Sequence, residues 1–259
     1  MSSQQAPPPF QELVAPDGWH TVDIISDLHL QADRPATVEA WRGYLQTTPA
    51  DALFILGDLF EVWVGDDAAA LPGFEAQCAA LLHEAAAHRP VFFMHGNRDF
   101  LVGPAFAAQA GITLLDDPTV LVFMDQRWLL SHGDALCLDD TEYQRFRAQV
   151  RTQAWQQAVL AQPLEQRRAL ARSVRSQSEA RQREPDMVWA DVDAPAARAW
   201  LTRAQAHTLI HGHTHRPGVH DLGGGLQRIV LSDWDVDAHP PRAQVLCLSA
   251  SGAKRVDLR

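Results

Sequence analysis

The sequence has little cysteine, almost no lysine and no long apolar run, and the first and last of these shortages each exclude a class of protein. Three cysteines, Cys78, Cys137 and Cys247, are odd in number and widely spaced, which argues against a disulfide framework and a thiolate metal site. Lys254 is the only lysine. No apolar run approaches the length of a membrane-spanning helix, and residues 1–9 lack the basic and apolar regions of a signal peptide. These shortages predict a cytoplasmic protein.

Length and composition predict one large folded domain. At 259 residues, with 46% hydrophobic residues, the chain can bury a single core. The start is polar and rich in proline, so residues 1–19 are predicted to be a disordered leader. Residues 20–259 are predicted to form the domain, with a helical insert at about 141–190.

Five apolar runs in the chain each end in a polar residue that can bind a metal. Each run is typical of a buried strand that meets a loop. The seven polar residues are Asp27, His29, Asp58, Asn97, His132, His213 and His215. In open α/β sheets, binding sites form at the carboxyl edge of the strands, where side chains from different strands converge. We therefore expect the seven side chains to lie together.

The spacing and chemistry of these residues indicate a metal site. In Asp27-x-His29 and His213-x-His215, a period of two places both side chains on one face of an extended chain. Carboxylate, imidazole and amide ligands suit manganese, iron or zinc, and a carboxylate can bridge two cations. The pattern predicts two divalent ions. The alternative is that these are ordinary polar residues of loops and strand ends, which is the usual explanation for any single residue of this kind.

The blocks resemble, in order, the signature of the calcineurin-like metallophosphoesterases: D-x-H, G-D, G-N-[HR]-[DE], H and G-H-x-H. More narrowly, residues 26–30, 57–67, 95–101, 132–140 and 211–217 are similar to the UDP-2,3-diacylglucosamine diphosphatases of bacterial lipid A synthesis. The resemblance implies an α/β fold, a four-layer α/β-β/α sandwich with the helical insert as a lid. Periodicity alone does not distinguish this sandwich from a doubly wound sheet.

The resemblance also implies which residues hold the metals, expected to be two Mn²⁺ ions. Asp58 would be shared between both ions. The first ion would be held by Asp27, His29, Asp58 and His215, and the second by Asp58, Asn97, His132 and His213.

Substrate contacts follow from the same resemblance, with Asp58, Asn97 and Arg98 as the catalytic residues. The implied substrate-binding residues are Asn97, Arg98, Asp140, Ser178, Gln182, Pro185 and His213. Gln182 and Pro185 stand where the family carries asparagine and lysine. Asp99 and Asp134 are predicted to orient the residues of the site.

The arginine at position 98 indicates which kind of leaving group the reaction has. Many members of the superfamily carry histidine at this position, where it can protonate an alkoxide leaving group. A phosphate leaving group has a second pKa of about 6 and needs no proton donor, whereas a guanidinium can grip its oxygens bidentately. Arg98 therefore favours hydrolysis of a pyrophosphate bond. The alternatives are another metallophosphoesterase, such as a nucleotide pyrophosphatase or a cyclic-nucleotide phosphodiesterase, and a scaffold that kept the fold without catalysis.

The insert has a charge unlike that of the remaining chain. Its apolar positions predict one helix from Tyr143 to Val159 and a second beyond Pro163. From Arg145 to Arg183 there are nine arginines and two glutamates, a net charge of +7 in a chain of net charge −10. This concentration predicts an anionic partner, either a membrane surface or nucleic acid. The acidic remainder disfavours a long nucleic-acid groove.

We therefore expect peripheral binding to the cytoplasmic face of the inner membrane, shelter for acyl chains, no nucleic-acid partner and a monomer. The alternative for the arginines is a solvated helix surface.

Overall fold

Twelve strands and seven α-helices form the part of the chain described by the computed structural model, residues 10–182 and 190–258, with side chains described up to residue 175 and again from residue 190. The strands are β1 (Gln11–Val14), β2 (Thr21–Ile25), β3 (Ala52–Leu56), β4 (Val91–Met94), β5 (Thr113–Leu115), β6 (Thr119–Phe123), β7 (Gln126–Ser131), β8 (Thr208–His211), β9 (Gly218–Gly223), β10 (Leu226–Val230), β11 (Gln244–Ser249) and β12 (Gly252–Asp257). The helices are α1 (Pro35–Thr47), α2 (Phe74–Ala86), α3 (Pro104–Ala110), α4 (Thr141–Val150), α5 (Gln153–Leu160), α6 (Leu164–Gln182) and α7 (Ala194–Ala204).

The strands form two six-stranded sheets. One has the order β1-β6-β7-β8-β10-β9 and the other β12-β11-β2-β3-β4-β5. Strands β2 to β5 are mutually parallel, and so are β7 and β8 in the other sheet. Within each of these parallel sets the carboxyl ends point to the same edge, which positions the loops that follow them.

The burial of β3 shows how four layers arise. All five of its residues are buried, and successive side chains point to opposite faces. Phe54 and Leu56 pack between the two sheets, whereas Leu53 and Ile55 pack against residues of α1, α2 and α3. Helix α7 covers the outer face of the other sheet. The predicted four-layer sandwich is confirmed.

Local hydrogen bonds explain where the helices begin. Asp193 accepts a hydrogen bond from the amide of Ala196 (2.7 Å) and caps α7, a position that favours aspartate. Helix α3 begins beside Asp66. Its carboxylate accepts from the amides of Gly103 and Phe106 (both 2.9 Å) at the start of α3.

Two predictions about helical and disordered segments are wrong in part. The insert contains three helices, because the first predicted helix breaks after Val150 and Thr152 caps α5. Residues Gln11–Val14 of the predicted leader form β1, which pairs with β6. Residues 1–9 lie outside the described part of the chain. No helix of the described part is long and apolar enough to cross a lipid bilayer.

Candidate metal centre and adjoining cavity

The seven predicted ligands lie in the loops that follow five strands. Asp27 and His29 follow β2, Asp58 follows β3, Asn97 follows β4, His132 follows β7, and His213 and His215 follow β8. Strands β2 to β4 belong to one sheet, and β7 and β8 to the other. A hydrogen bond from Nδ1 of His132 to the carbonyl oxygen of Leu56 (2.9 Å) joins the two sheets at this end. It leaves Nε2 of His132 facing the cluster.

One half of the cluster joins Asp27, His29 and His215. Nε2 of His29 lies 3.4 Å from Nε2 of His215, which lies 3.4 Å from Oδ1 of Asp27. Oδ2 of Asp58 lies 3.9 Å from Nε2 of His29. Asp27, His29 and His215 present metal-binding atoms within reach of one ion.

The other half joins Asn97, His132 and His213. Oδ1 of Asn97 lies 2.9 Å from Nε2 of His132 and 2.8 Å from Nδ1 of His213. The second carboxylate oxygen of Asp58, Oδ1, lies 3.8 Å from Nε2 of His132. The two oxygens of Asp58 therefore face the two halves of the cluster, which is the placement that a shared ligand requires.

The donor set fits divalent cations. Carboxylate, imidazole and amide atoms converge, as expected for borderline-hard ions. Glycine backbone encloses the carboxylates: a Cβ on Gly96 would lie 2.0 Å from Oδ1 of Asp58, and one on Gly212 would lie 2.2 Å from Oδ2 of Asp27. Any larger residue at these glycines would displace the carboxylates.

The backbone at five of the predicted ligands is left-handed. The φ angles are 56° at Asp27, 47° at His29, 51° at Asp58, 66° at His213 and 50° at His215. The prediction that Asp27-x-His29 and His213-x-His215 converge through extended chain is therefore wrong in its geometry. The side chains converge because tight turns direct them inward, and each left-handed L-residue costs roughly 1–2 kcal/mol.

Burial and mutual charge set the ionisation of the cluster. Burial alone would raise the pKa of Asp27, but His215, His132 and His29 hold it well below its usual range. Burial would lower the pKa of His132, but the carboxylates of Asp58 and Asp27 raise it to about 9. The cluster thus already stabilises positive charge beside its carboxylates.

Asp99 organises the loops that carry two of the predicted ligands. It is fully buried and accepts hydrogen bonds from the amides of Gly96 and Leu59 (both 2.8 Å). Burial and the neighbouring Asp58 raise its pKa to about 7. Asp99 therefore acts on the site through the backbone after β3 and β4.

Asp134 connects the site to the insert. Its Oδ2 accepts from the Tyr143 hydroxyl and from Nε of Arg147 (2.8 Å). Burial would raise its pKa, but the guanidinium groups of Arg147 and Arg151 hold it well below its usual range. The Tyr143 ring stacks on His213 with centroids 6.0 Å apart. Asp134 therefore positions a ring that packs on a predicted ligand.

A cavity of about 900 Å³ opens over the cluster. Arg98 and Asp140 line it, and the carboxylate of Asp140 also accepts a hydrogen bond from the Tyr143 amide (3.0 Å) at the start of α4. Phe146, Val174 and Trp234 contribute apolar walls. The predicted substrate contacts at Ser178, Gln182 and Pro185 fall outside the residues whose side chains are described.

Two acidic residues beside the cluster were not predicted from the sequence. Oε2 of Glu61 lies 2.9 Å from Nδ1 of His29. Oδ2 of Asp233 lies 3.8 Å from Nδ1 of His215 and also contacts Arg242. Glu61 had a signal, since it interrupts the apolar stretch that follows Asp58, whereas Asp233 lies in a loop without one.

The insert arginines do not form one outward surface. Of the seven whose side chains are described, four turn inward to contact other groups of the protein, and the predicted anionic partner stays a prediction. Arg147 bonds Asp134, and Nη2 of Arg151 donates to the carbonyl oxygen of Gly96 (2.8 Å). Arg167 is only 4% exposed and bonds Asp67 and the carbonyl oxygen of Val64. Arg175 is the fourth, and Nη1 of its guanidinium donates to Oε1 of Gln31 (3.1 Å).

Comparisons with known proteins place this geometry in a wider context. Residues 20–217 match the family "Calcineurin-like phosphoesterase". The chain is 46% identical over 245 residues to the UDP-2,3-diacylglucosamine hydrolase of Chromobacterium violaceum, covering 92% of this chain and 98% of that protein. It is 47% identical over 231 residues to the hydrolase of the same name from Xanthomonas campestris pv. campestris, covering 83% and 91%. Vacuolar Protein Sorting 29 from Cryptosporidium parvum matches with a TM-score of 0.47 at 13% identity, covering 94% of this chain and 93% of that one.

Proposed function

Because the chain belongs to the calcineurin-like phosphoesterase family, we propose that it hydrolyses the pyrophosphate bond of UDP-2,3-diacylglucosamine, giving UMP and 2,3-diacylglucosamine 1-phosphate. The observation that carries the proposal is the near-half identity to hydrolases of this substrate over almost the whole chain. The cavity is consistent with it, since its walls combine charged groups for a diphosphate with apolar groups for acyl chains.

Divalent metal ions belong to this function, and we propose two ions, with Mn²⁺ as the physiological metal. Asp27, His29, Asp58 and His215 would hold the first ion, and Asp58, Asn97, His132 and His213 the second. When bound, the ions neutralise charge on the diphosphate and provide a nucleophile at neutral pH. The two-sided placement of Asp58 supports its role as the shared ligand.

Arg98 and Asn97 are proposed to hold the diphosphate. The amide of Arg98 donates to Oδ1 of Asp58 (2.8 Å), which fixes its backbone beside the cluster, while its side chain lines the cavity. A guanidinium there can bind phosphate oxygens bidentately and offset the charge that develops in the transition state. Further substrate contacts are proposed for His213, Asp140, Ser178, Gln182 and Pro185.

The identity of the leaving group explains why arginine suffices at this position. Attack on the phosphorus next to uridine breaks its bond to the bridging oxygen, which leaves on the sugar phosphate. A phosphate monoester has a second pKa of about 6 and departs as an anion at neutral pH. Arg98 thus needs to stabilise charge and does not need to donate a proton.

The insert is proposed to shelter the acyl chains and to meet the membrane. Phe146 and Val174 are 37% and 38% exposed and line the cavity from α4 and α6. Arg145, Arg168 and Arg172 are the described insert arginines that do not turn inward, and they could meet anionic lipid. We propose a monomer bound peripherally to the cytoplasmic face of the inner membrane, without a nucleic-acid partner.

The test is turnover of UDP-2,3-diacylglucosamine by purified protein with Mn²⁺ in ¹⁸O-labelled water. We expect release of UMP, with the label in UMP and none in the sugar phosphate. Label in the sugar phosphate would place the attack on the other phosphorus. Failure on this substrate together with hydrolysis of simple diesters would identify a different phosphoesterase.

A further inference from the structure

We propose that Glu61 is a positioning residue that holds three groups of the site with one carboxylate: the imidazole of His29 and the guanidinium groups of Arg98 and Arg175. The inference deepens the proposed function and rests on it for the role of the two arginines. Glu61 is neither a predicted metal ligand nor a predicted substrate contact. Its position between these groups suggests that it couples the metal centre to the phosphate-facing wall of the cavity.

The backbone fixes Glu61 beside His29. The loop after β2 and the loop after β3 pair with each other: the amide of Leu30 donates to the carbonyl oxygen of Leu59 (2.8 Å), and the amide of Glu61 donates to that of Leu30 (3.2 Å). The two loops are therefore held in register next to the cluster. The Glu61 side chain is only 14% exposed.

The first contact of Glu61 acts on a predicted metal ligand. Nε2 of His29 faces His215 and Asp58, while Nδ1 lies 2.9 Å from Oε2 of Glu61. The contact is an ion-pair contact outside hydrogen-bond geometry. A negative charge this close favours the proton on Nδ1, which leaves the lone pair of Nε2 available to a metal. A small rotation of the ring on metal binding would complete the hydrogen bond that ligating histidines donate to a carboxylate.

The second set of contacts acts on two guanidinium groups that line the cavity. Oε1 of Glu61 lies 3.8 Å from Nη1 of Arg98 and 3.4 Å from Nε of Arg175. Arg98 follows β4 of the sandwich, whereas Arg175 belongs to α6 of the insert. A carboxylate between them offsets the repulsion that two neighbouring cations would experience. It thereby lets both guanidinium groups face the same diphosphate.

The geometry distinguishes this role from that of a direct ligand. The His29 ring stands between the Glu61 carboxylate and the centre of the cluster, because its two nitrogens face opposite partners. Both Glu61 oxygens already have cationic or imidazole partners. Glu61 therefore acts on the reaction through His29, Arg98 and Arg175.

The decisive variant is Glu61→Gln, which keeps the shape and removes the charge. A calorimetric titration of the metal-free variant with Mn²⁺ should show an affinity for Mn²⁺ about 10- to 100-fold weaker than that of the wild type. Saturating Mn²⁺ should restore part of kcat, while KM for the diphosphate stays raised, because the arginines lack their shared partner. Glu84→Gln, an exposed residue of α2, should match the wild type in both measurements.

A second variant keeps the inference testable if Glu61→Gln folds poorly. Glu61→Asp retains the charge but withdraws it by one methylene, so it should give metal affinity between wild type and Glu61→Gln. Wild-type Mn²⁺ affinity and KM in the folded variants would overturn the role, even if their melting temperature fell. The calorimetric titration needs no turnover, so it judges Glu61 even if the wild type fails on the proposed substrate.

Discussion

One end of the sandwich carries the seven predicted metal ligands and is called the metal end here. This end and the helical insert are both rich in charged groups, but the charges have different roles in the two regions. At the metal end, carboxylates and imidazoles converge on shared points, and the backbone is held in left-handed turns to direct them there. In the insert, Arg147, Arg151 and Arg167 reach across to acceptors on the sandwich. In the first region the charged side chains converge as predicted metal ligands, and in the second they hold the helices against the sandwich.

The largest effect is expected at Asp58, because its two carboxylate oxygens face both halves of the cluster. Asp58→Ala should remove a ligand from both halves of the cluster and lower turnover by at least about 10³-fold. Metal analysis should show loss of the bound ions. Asp58→Asn, which keeps one oxygen acceptor, should retain more metal than the alanine variant. Two tightly bound ions and a wild-type rate in Asp58→Ala would contradict the assignment.

Replacement of Arg98 should separate catalysis from metal binding. Arg98→Ala should lower turnover by about 10²-fold, equivalent to about 2.7 kcal/mol of barrier, because one strong charge-assisted contact is lost. Metal content should stay at the wild-type level. Arg98→Lys should recover only part of the rate, for lack of the planar fork. Unchanged kinetics in the alanine variant would show that the diphosphate lies elsewhere.

Arg167 and Arg168 are neighbours in α6 and provide a matched pair for the insert. Arg167 is buried and donates to the carbonyl oxygens of Val64 and Gln162 as well as to Asp67. Arg168 is paired with Glu165 at the surface. Arg167→Ala leaves buried acceptors unsatisfied, so local opening of α6 should become easier by about 1–3 kcal/mol.

Hydrogen exchange of the α6 amides measures this opening. Arg168→Ala should change it by less than about 0.5 kcal/mol, as is usual for surface substitutions. Equal protection of α6 in the two variants would mean that Arg167 does not fasten the helix. That result would remove the distinction between inward and outward arginines.

The smallest effect per residue is expected from the outward arginines. Replacement of Arg145, Arg168 and Arg172 by glutamine should weaken binding to anionic vesicles by about 1 kcal/mol per residue before salt screening. Hydrolysis of a water-soluble nucleotide-sugar analogue should continue at the wild-type rate. Vesicle co-sedimentation at low and high salt provides the measurement. Unchanged binding would leave these arginines as a solvated helix face.

The sequence predicted the convergence of the seven polar residues because each block is local: a buried strand, then a short loop. It did not predict the left-handed turns, which are invisible in residue spacing. Nor did it predict the inward arginines, because their acceptors lie far away in the chain, as with Arg167 and Asp67. The choice of a sandwich over a doubly wound sheet came from resemblance, since a strand that is apolar on both faces, such as β3, is compatible with both.

The left-handed backbone at five predicted ligands also bears on how this chain can evolve. Glycine adopts that conformation at lower cost than histidine or aspartate does. His29→Gly would therefore relax the turn while it removes a predicted ligand. In metal-free protein, this variant is expected to melt at the same or a higher temperature than the wild type. His215→Gly should melt lower, because it also removes the imidazole beside the buried Asp27 carboxylate. Stability of the metal-free fold alone would therefore favour glycine at the turn of His29, and a histidine there is explained by the proposed metal site.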